Sequence, residues 1–129
     1  MSGNSTYLGN AVLNWVKGSA MPTAPSSVYV GLFNGDPTDS GSGGTEVTTT
    51  IRVAGRVAAT FGTVASKNMA NNALVDFGNA AGATTVTHFG VFDAASAGNM
   101  LGSNAVTGGG AVGSGAAVSF ASSALTWSS

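Results

Sequence analysis

Residues 27–35 read SVYVGLFNG, a β-branched and aromatic run that stops at an Asn-Gly pair. Side chains of this kind favour the pleated, half-buried surface of a β-strand. Asn-Gly supplies the two positive-φ positions of a tight turn, and Asp36-Pro37 follows it directly. The sequence therefore predicts a strand over Ser27–Phe33 that ends in a turn.

Further strands are predicted along the rest of the chain, at intervals of about 8–12 residues. A long β-prone stretch covers Val47–Phe61 and is broken, or bulged, at Gly55. Shorter segments follow at Leu74–Phe77, Val86–Phe92, Met100–Val106, Ala116–Phe120 and Leu125–Trp127. We expect a mainly β fold, an antiparallel β-sandwich or jelly-roll-like barrel, with one N-terminal amphipathic α-helix.

The helix is predicted from an apolar stripe at helical period near the start of the chain. Its members are Tyr7, Leu8, Ala11, Val12, Trp15 and Val16. Ser5 or Thr6 can cap its N-terminus, and Gly18 can end it with a positive φ. We expect one domain over residues 1–129, with a helix at about 5–17, a linker at 18–26 and a β-rich body at 27–127. The helix either packs on the domain's own sheet or docks into a neighbouring subunit, with Trp15 at the contact.

Formal charge is scarce in this chain. The 129 residues include four Lys and Arg and five Asp and Glu, and no charged residue follows Asp93. An average domain carries about a quarter charged residues, and weakly charged surfaces associate readily. Cysteine is absent, which excludes disulfides and thiolate chemistry. The composition favours a subunit that packs against other subunits over a compact extracellular domain.

No motif predicts catalysis or a cofactor. His88 is the one histidine, and no Gly-x-Ser-x-Gly nucleophile motif accompanies it, so we interpret it as a structural strand residue. Gly108, Gly110 and Gly113 match a dinucleotide-binding spacing. Neither the helix nor the acidic residue that dinucleotide binding needs follows them, so a flexible glycine loop is predicted instead. We expect no enzyme activity and no cofactor.

The acidic loop after the first predicted strand is the weak candidate for a metal site. Its carboxylates are Asp36, Asp39 and Glu46, but the bidentate Glu of an EF-hand is missing, because that position is Val47. Asx turns at Asp36 and Asp39 are the simpler interpretation. Nucleic-acid binding is not expected with so few basic residues, and Arg52 and Arg56 can pair with Glu46 or Asp76. No signal peptide or membrane-spanning run is recognisable.

Several ordered segments resemble a family of small virion proteins of tailed double-stranded DNA bacteriophages, often described as tail-fibre or structural proteins. The segments are Tyr7–Trp15 (YLGNAVLNW), Val28–Asp39 (VYVGLFNGDPTD) with Gly41, Gly44 and Glu46, Arg56–Phe61, Val75–Phe77 and Thr85–Leu101 (TVTHFGVFDAASAGNML). Together they cover most of residues 7–101. The resemblance implies a virion component, made in the cytoplasm of the host bacterium, without an enzymatic site.

Two virion functions fit these observations. The first is a capsid decoration (cement) protein, expected to be a homotrimer, that bridges and stabilises major capsid proteins. The alternative is a tail or tail-fibre component that takes part in host attachment through its Gly/Ser/Asn-rich loops. A surface-adhesive, ice-binding protein is a weaker third, suggested by Thr48-Thr49-Thr50.

The partners expected are other virion proteins and further copies of the chain, with neither nucleic acid nor membrane. The N-terminal helix and the uncharged C-terminal third are the predicted interface regions. The side chains predicted at the interface are Tyr7, Leu8, Val12, Trp15, Val16, Leu125 and Trp127.

Overall fold

Antiparallel sheets dominate the structure, a computed structural model that describes residues 3–47, 51 and 55–128. One helix and ten strands occur among these residues. In chain order they are β1 Gly3–Asn4, α1 Thr6–Val16, β2 Val28–Asn34, β3 Thr45–Glu46, β4 Val57–Ala59, β5 Asn68–Ala70, β6 Val75–Asn79, β7 Thr84–Phe92, β8 Met100–Val112, β9 Ala117–Phe120 and β10 Thr126–Ser128. The prediction of a mainly β, antiparallel fold with one N-terminal helix is confirmed.

The largest sheet is built around β2 and β7. Its strand order is β1-β8-β7-β2-β3, and β4 pairs with β2 as well. Val30 lies opposite Val91 and Leu32 opposite Phe89, so these four apolar side chains share one face. Since side chains alternate along a strand, the neighbouring residues of β2 and β7 point to the other face.

Two small sheets, β5–β10 and β6–β9, cover the first face of the large sheet. The enclosed core contains Val30, Leu32, Ile51, Val75, Phe77, Ala80, Val86, Phe89, Val91, Val118, Leu125 and Trp127. Strands of all three sheets contribute to it. The result is a two-layer arrangement with the apolar core between the layers.

A smaller cluster lies on the opposite face of the large sheet. The rings of Phe33 and Phe92 stack with 6.1 Å between centroids and 12° between planes. Met100 completes the cluster. A Cβ on Gly90 would lie 3.0 Å from the Phe92 ring and 3.1 Å from the Phe33 ring, so the absence of a side chain at this position lets the rings lie flat on the sheet.

Several sequence expectations need correction at the level of single strands. The run Gly108–Gly110 is not a loop, because it forms part of β8, which pairs with β7 as far as Val112. β8 makes irregular pairing there, and Gly108 has a φ of +75° that glycine adopts without strain. Strands β1, β3 and β5 are short and lack any apolar alternation, which is why the sequence pattern did not predict them.

The long stretch predicted at Val47–Phe61 forms only the three-residue strand β4 among its described residues. Gly55 has a φ of +79°, consistent with the predicted break. Residues 48–50 and 52–54 lie outside the described residues, and with them the Thr48-Thr49-Thr50 run and Arg52. In the part of the chain that the structure describes, no helix has the length and apolarity that crossing a membrane requires.

Trp127 packs directly on the backbone of Gly102. A Cβ added at Gly102 would lie 2.2 Å from the indole ring, and the ring itself is only 6% exposed. Gly102→Ala is therefore expected to lower the free energy of unfolding by about 1–3 kcal/mol, because a rigid buried ring must shift. Gly113→Ala is the matched control, since a Cβ there meets nothing within 4 Å. Thermal unfolding of both variants measures the difference, and equal melting temperatures would contradict the packing described here.

Candidate interaction surface

The start of α1 is fixed to the body of the protein. The hydroxyl of Ser5 accepts a hydrogen bond from the backbone N–H of Leu8 at 3.1 Å, which confirms the predicted cap. The Ser5 N–H donates to the carbonyl of Leu101, and the Thr6 N–H donates to the carbonyl of Asp39. Two of the N–H groups that a helix leaves unpaired at its N-terminus are thereby satisfied by other elements.

Only the first half of α1 packs on the protein's own core. Ala11 is buried, and Leu8 is partly buried against the main core. Every residue from position 12 to position 27 is exposed. We call this segment, residues 12–27, the arm: it comprises the second half of the helix and the chain that leads to β2.

The arm carries an unusual concentration of exposed apolar side chains. Leu13 is 67% exposed, Trp15 58% and Val16 69%. Across the described ranges of the chain, the exposed large hydrophobic side chains are Tyr7, Val12, Leu13, Trp15, Val16, Met21, Val64 and Leu74. Six of these eight lie between positions 7 and 21. An exposed apolar patch of this kind marks an interaction surface.

The helix ends in a reversal held by backbone hydrogen bonds. Gly18 has a φ of +110°, and its N–H donates to the carbonyl of Trp15 at 3.0 Å. The Ser19 N–H donates to the carbonyl of Asn14 at 2.8 Å. The sequence analysis predicted that Gly18 ends the helix with a positive φ, which a residue with a side chain adopts only with strain, and the structure confirms it.

A groove lies between the first turn of α1 and the end of the arm. Its volume is about 510 Å³. We call it the groove; it is lined by Tyr7, Leu8, Met21, Pro22, Thr23, Ala24, Pro25, Asp93 and Leu101. Asp93 is the one formally charged residue of this lining, and its carboxylate accepts hydrogen bonds from the backbone N–H and the side-chain amide of Asn99. The groove is therefore mainly apolar with a carboxylate at its wall.

The seven side chains predicted at an interface fall into three groups. Tyr7, Val12, Trp15 and Val16 are exposed on or beside the arm. Leu8 is shared between the core and the groove. Leu125 and Trp127 belong to the protein's own core, at 0% and 6% exposure, so the structure moves them from the predicted interface to the interior. The sequence could not show this, because their burial depends on residues that are distant in the chain, such as Gly102 beneath the Trp127 ring.

Two acidic residues of the candidate metal loop, Asp36 and Glu46, make separate contacts of their own. The Asp36 carboxylate accepts a hydrogen bond from the Thr38 N–H at 2.8 Å, which is the predicted Asx turn. The Glu46 carboxylate binds Arg56. Among the residues that the structure describes, no three Asp, Glu, His or Cys side chains come together as metal ligands.

Arg56 is held by more contacts than its sequence position suggested. Its Nε and Nη2 donate to the two oxygens of the Glu46 carboxylate at 2.8 and 2.9 Å. Its Nη1 donates to the carbonyls of Ala94 and Ala97, in the turn between β7 and β8. The guanidinium carbon also lies 3.4 Å from the centroid of the Phe92 ring. Of the two pairings that the sequence allowed for this arginine, the structure shows the one with Glu46.

His88 makes local contacts of a structural kind. Its Nδ1 lies 2.9 Å from the hydroxyl of Thr87, and that hydroxyl accepts a hydrogen bond from the Gly35 N–H. Burial disfavours the charged imidazolium and lowers the pKa of His88 below its ordinary value of 6.5.

The pKa of His88 predicts how stability changes with pH. As the pH falls below about 6.5, the unfolded chain binds a proton that the folded chain resists, so the free energy of unfolding decreases. His88→Asn is expected to remove most of the difference in melting temperature between pH 7.0 and pH 5.5, since no other side chain of the sequence has an ordinary pKa in that range. An unchanged pH dependence in His88→Asn would contradict this assignment.

The β-rich body, the sparse charge and the apolar arm are typical of a subunit that packs against other proteins. Comparison with known families shows which family the chain belongs to. Residues 3–128 match the sequence model of the family described as Podophage GP4 fiber I protein gp80, and the chain belongs to this family. It is thus a structural protein of a bacteriophage and a component of the virion, where it associates with other virion proteins. The resemblance seen in the sequence is confirmed, and no curated protein matches the chain significantly.

Proposed function

We propose that the protein is a component of the phage tail fibre and takes part in host attachment. The observation that carries the proposal is the family match, which covers nearly the whole described chain and whose description names a fibre protein. The capsid-decoration hypothesis has no comparable support from a known family. The tail-fibre alternative is therefore the stronger of the two virion functions.

The proposed role is mechanical and does not require a chemical step. The two-layer β body supplies a stable scaffold, and the weak charge lets copies and neighbours pack without strong repulsion. The exposed arm supplies apolar area for contacts inside the virion. Loops on such a scaffold are free to contact the surface of the host.

The loop at residues 36–44 is the part we propose for host contact. Its hydroxyls form a chain, with 3.0 Å between the oxygens of Thr38 and Ser40 and 2.7 Å between those of Ser40 and Ser42. All three residues are exposed. Backbone hydrogen bonds from Gly41 to Thr38 and from Gly43 to Pro37 hold the loop in shape, so the hydroxyls are presented in a defined arrangement.

Locating the chain in the particle tests the proposal. Purified virions are labelled with a gold-conjugated antibody against the chain, and its copy number is measured on a stained gel against the major capsid protein. We expect label at the tail and few copies per particle. Label spread over the capsid, with a copy number approaching that of the capsid protein, would favour decoration and contradict a place in the fibre.

Host contact is tested separately by adsorption. A triple variant with Thr38, Ser40 and Ser42 replaced by Ala is expected to slow adsorption to host cells about tenfold or more, because three polar contacts are lost. Ser114→Ala combined with Ser119→Ala is the control, since both serines are exposed outside this loop. Normal adsorption by the triple variant, in particles that contain the usual amount of the protein, would remove the loop from the proposal.

A further inference from the structure

We propose that the arm of one copy of the chain docks into the groove of a second copy. The contact places Trp15 of one copy among Tyr7, Leu8 and Met21 of the other. This inference concerns how copies associate, and it does not depend on where in the virion the protein lies.

The first argument is the unfinished burial of α1. The apolar stripe of the helix continues from Leu8 and Ala11 to Val12, Trp15 and Val16, but the body covers only the first two. A helix of 11 residues gains most of its stability from packing an apolar face, because short helices are marginal in water. The second half of the helix therefore has an apolar face that the protein's own body does not cover.

The second argument is that the groove is large enough to hold the side chain of Trp15. At about 510 Å³ the groove is large enough for an indole ring together with part of a neighbouring side chain. Trp15 does not line the groove of its own chain, and it lies two helical turns, about 12 Å, from Tyr7 along the axis. Trp15 and the groove thus lie at different places on one chain. This arrangement lets Trp15 of one copy reach the groove of another copy.

The third argument is charge. Lys17 follows Trp15 by two positions at the C-terminal end of α1, and Asp93 lines the groove. Arg56, in contrast, is tied to Glu46 inside its own chain. Seating Trp15 in the groove of a second copy brings the ammonium of Lys17 toward the Asp93 carboxylate, so the apolar and the charged parts of the two surfaces match together.

The symmetry of the assembly depends on which groove receives Trp15 of the second copy. If the second copy places its own Trp15 in the first groove, the two chains form a closed pair. If it places Trp15 in the groove of a third copy, the contact is head-to-tail; it closes as a ring where the rotation between copies allows closure and otherwise forms an open filament. The homotrimer predicted from the sequence is the smallest such ring.

Self-association of the purified chain tests the docking directly. We expect light scattering on a size-exclusion column to show a dimer or trimer, and Trp15→Ala to raise the dissociation constant about 30-fold or more, as truncation of a central tryptophan does. Lys17→Glu is expected to weaken association as well. Leu74→Ala is the control, because Leu74 is 62% exposed but lies outside the arm and the groove. Circular dichroism checks that Trp15→Ala keeps its fold.

Cross-linking identifies the surfaces, since the chain has no cysteine of its own. Chains carrying Val16→Cys are mixed with differently tagged chains carrying Thr23→Cys, a residue of the groove. We expect a disulfide between the two tags, and none when Leu74→Cys replaces Val16→Cys. A monomeric wild-type chain, an oligomer that Trp15→Ala leaves intact, or equal cross-linking from position 74 would each overturn the proposal.

Discussion

Asn71→Ala is expected to lower the free energy of unfolding by about 3–5 kcal/mol, which is a large part of the total stability of a domain. For a chain of this length, that corresponds to a fall in melting temperature of roughly 10–20 °C. Asn71 is 1% exposed, so the groups that lose their partner cannot all turn to water. The expected effect therefore comes from three lost hydrogen bonds and from one buried N–H group, that of Leu125, left without a partner.

The side chain of Asn71 links two loops of the fold, the one between β5 and β6 and the one between β9 and β10. Its Nδ2 donates to the carbonyls of Ala73 and Ala121, each at 2.9 Å. Its Oδ1 accepts a hydrogen bond from the Leu125 N–H at 2.9 Å. Alanine removes all three hydrogen bonds and leaves the buried Leu125 N–H without its partner, whereas the Ala121 carbonyl keeps its hydrogen bond from the Ala124 N–H. A lost hydrogen bond costs about 0.5–1.5 kcal/mol, and a buried group left unpaired costs about 1–3 kcal/mol. The cost is highest at Leu125, which is itself fully buried.

Urea and thermal unfolding measure the effect, with Asn79→Ala as the control. Asn79 is exposed on β6, and the same substitution there should stay within about 0.5 kcal/mol of the wild type. If Asn71→Ala and Asn79→Ala lose the same stability, the hydrogen bonds of Asn71 do not have the importance assigned to them.

Arg56→Ala is expected to destabilise the fold by about 3–5 kcal/mol, because it leaves a half-buried carboxylate without its partner. The side chains of Arg56 and Glu46 are 8% and 20% exposed. The substitution also removes the guanidinium from the Phe92 ring and from two carbonyls of the turn between β7 and β8. Arg56→Lys keeps the positive charge but not the two parallel hydrogen bonds, so it should recover only part of the loss.

A double-mutant cycle separates the ion pair from the other contacts of Arg56. Glu46→Gln combined with Arg56→Met removes both charges. The double variant is expected to lose less free energy of unfolding than the sum of the losses of the two single variants. Hydrogen exchange should become faster at residues 93–99 in Arg56→Ala, since the arginine holds that turn. Full stability of Arg56→Lys would show that charge alone, without the hydrogen-bond geometry, is sufficient.

The periodic parts of the fold were predictable from the sequence. Alternation of side chains along the strand Val86–Phe92 puts Phe89 and Val91 on one face and Phe92 on the other, and the structure has them in separate clusters. The stripe over Tyr7–Val16 predicted α1, and the cap at Ser5 is where it was expected. These features are local, because they follow from the spacing of residues along one segment.

Other parts depend on contacts between distant residues and left no pattern to detect. β1 and β5 are too short for alternation to be visible, and β8 continues through a glycine run because β7 offers it partners. Asn71 looked like any polar loop residue, although its hydrogen bonds reach residues 50 and 54 positions away. No local rule identifies such a residue, since its partners are chosen by the tertiary fold.

The candidate surface shows the same division. The sequence by itself determined that a helix with an apolar stripe precedes a weakly charged β body, and that the chain resembles phage virion proteins. Only the tertiary structure decided that the body buries α1 as far as Ala11 and leaves Trp15 exposed, and that Trp127 is buried against Gly102. The physical reason is that hydrophobic spacing specifies which face of an element is apolar, whereas burial depends on what the rest of the chain places against that face.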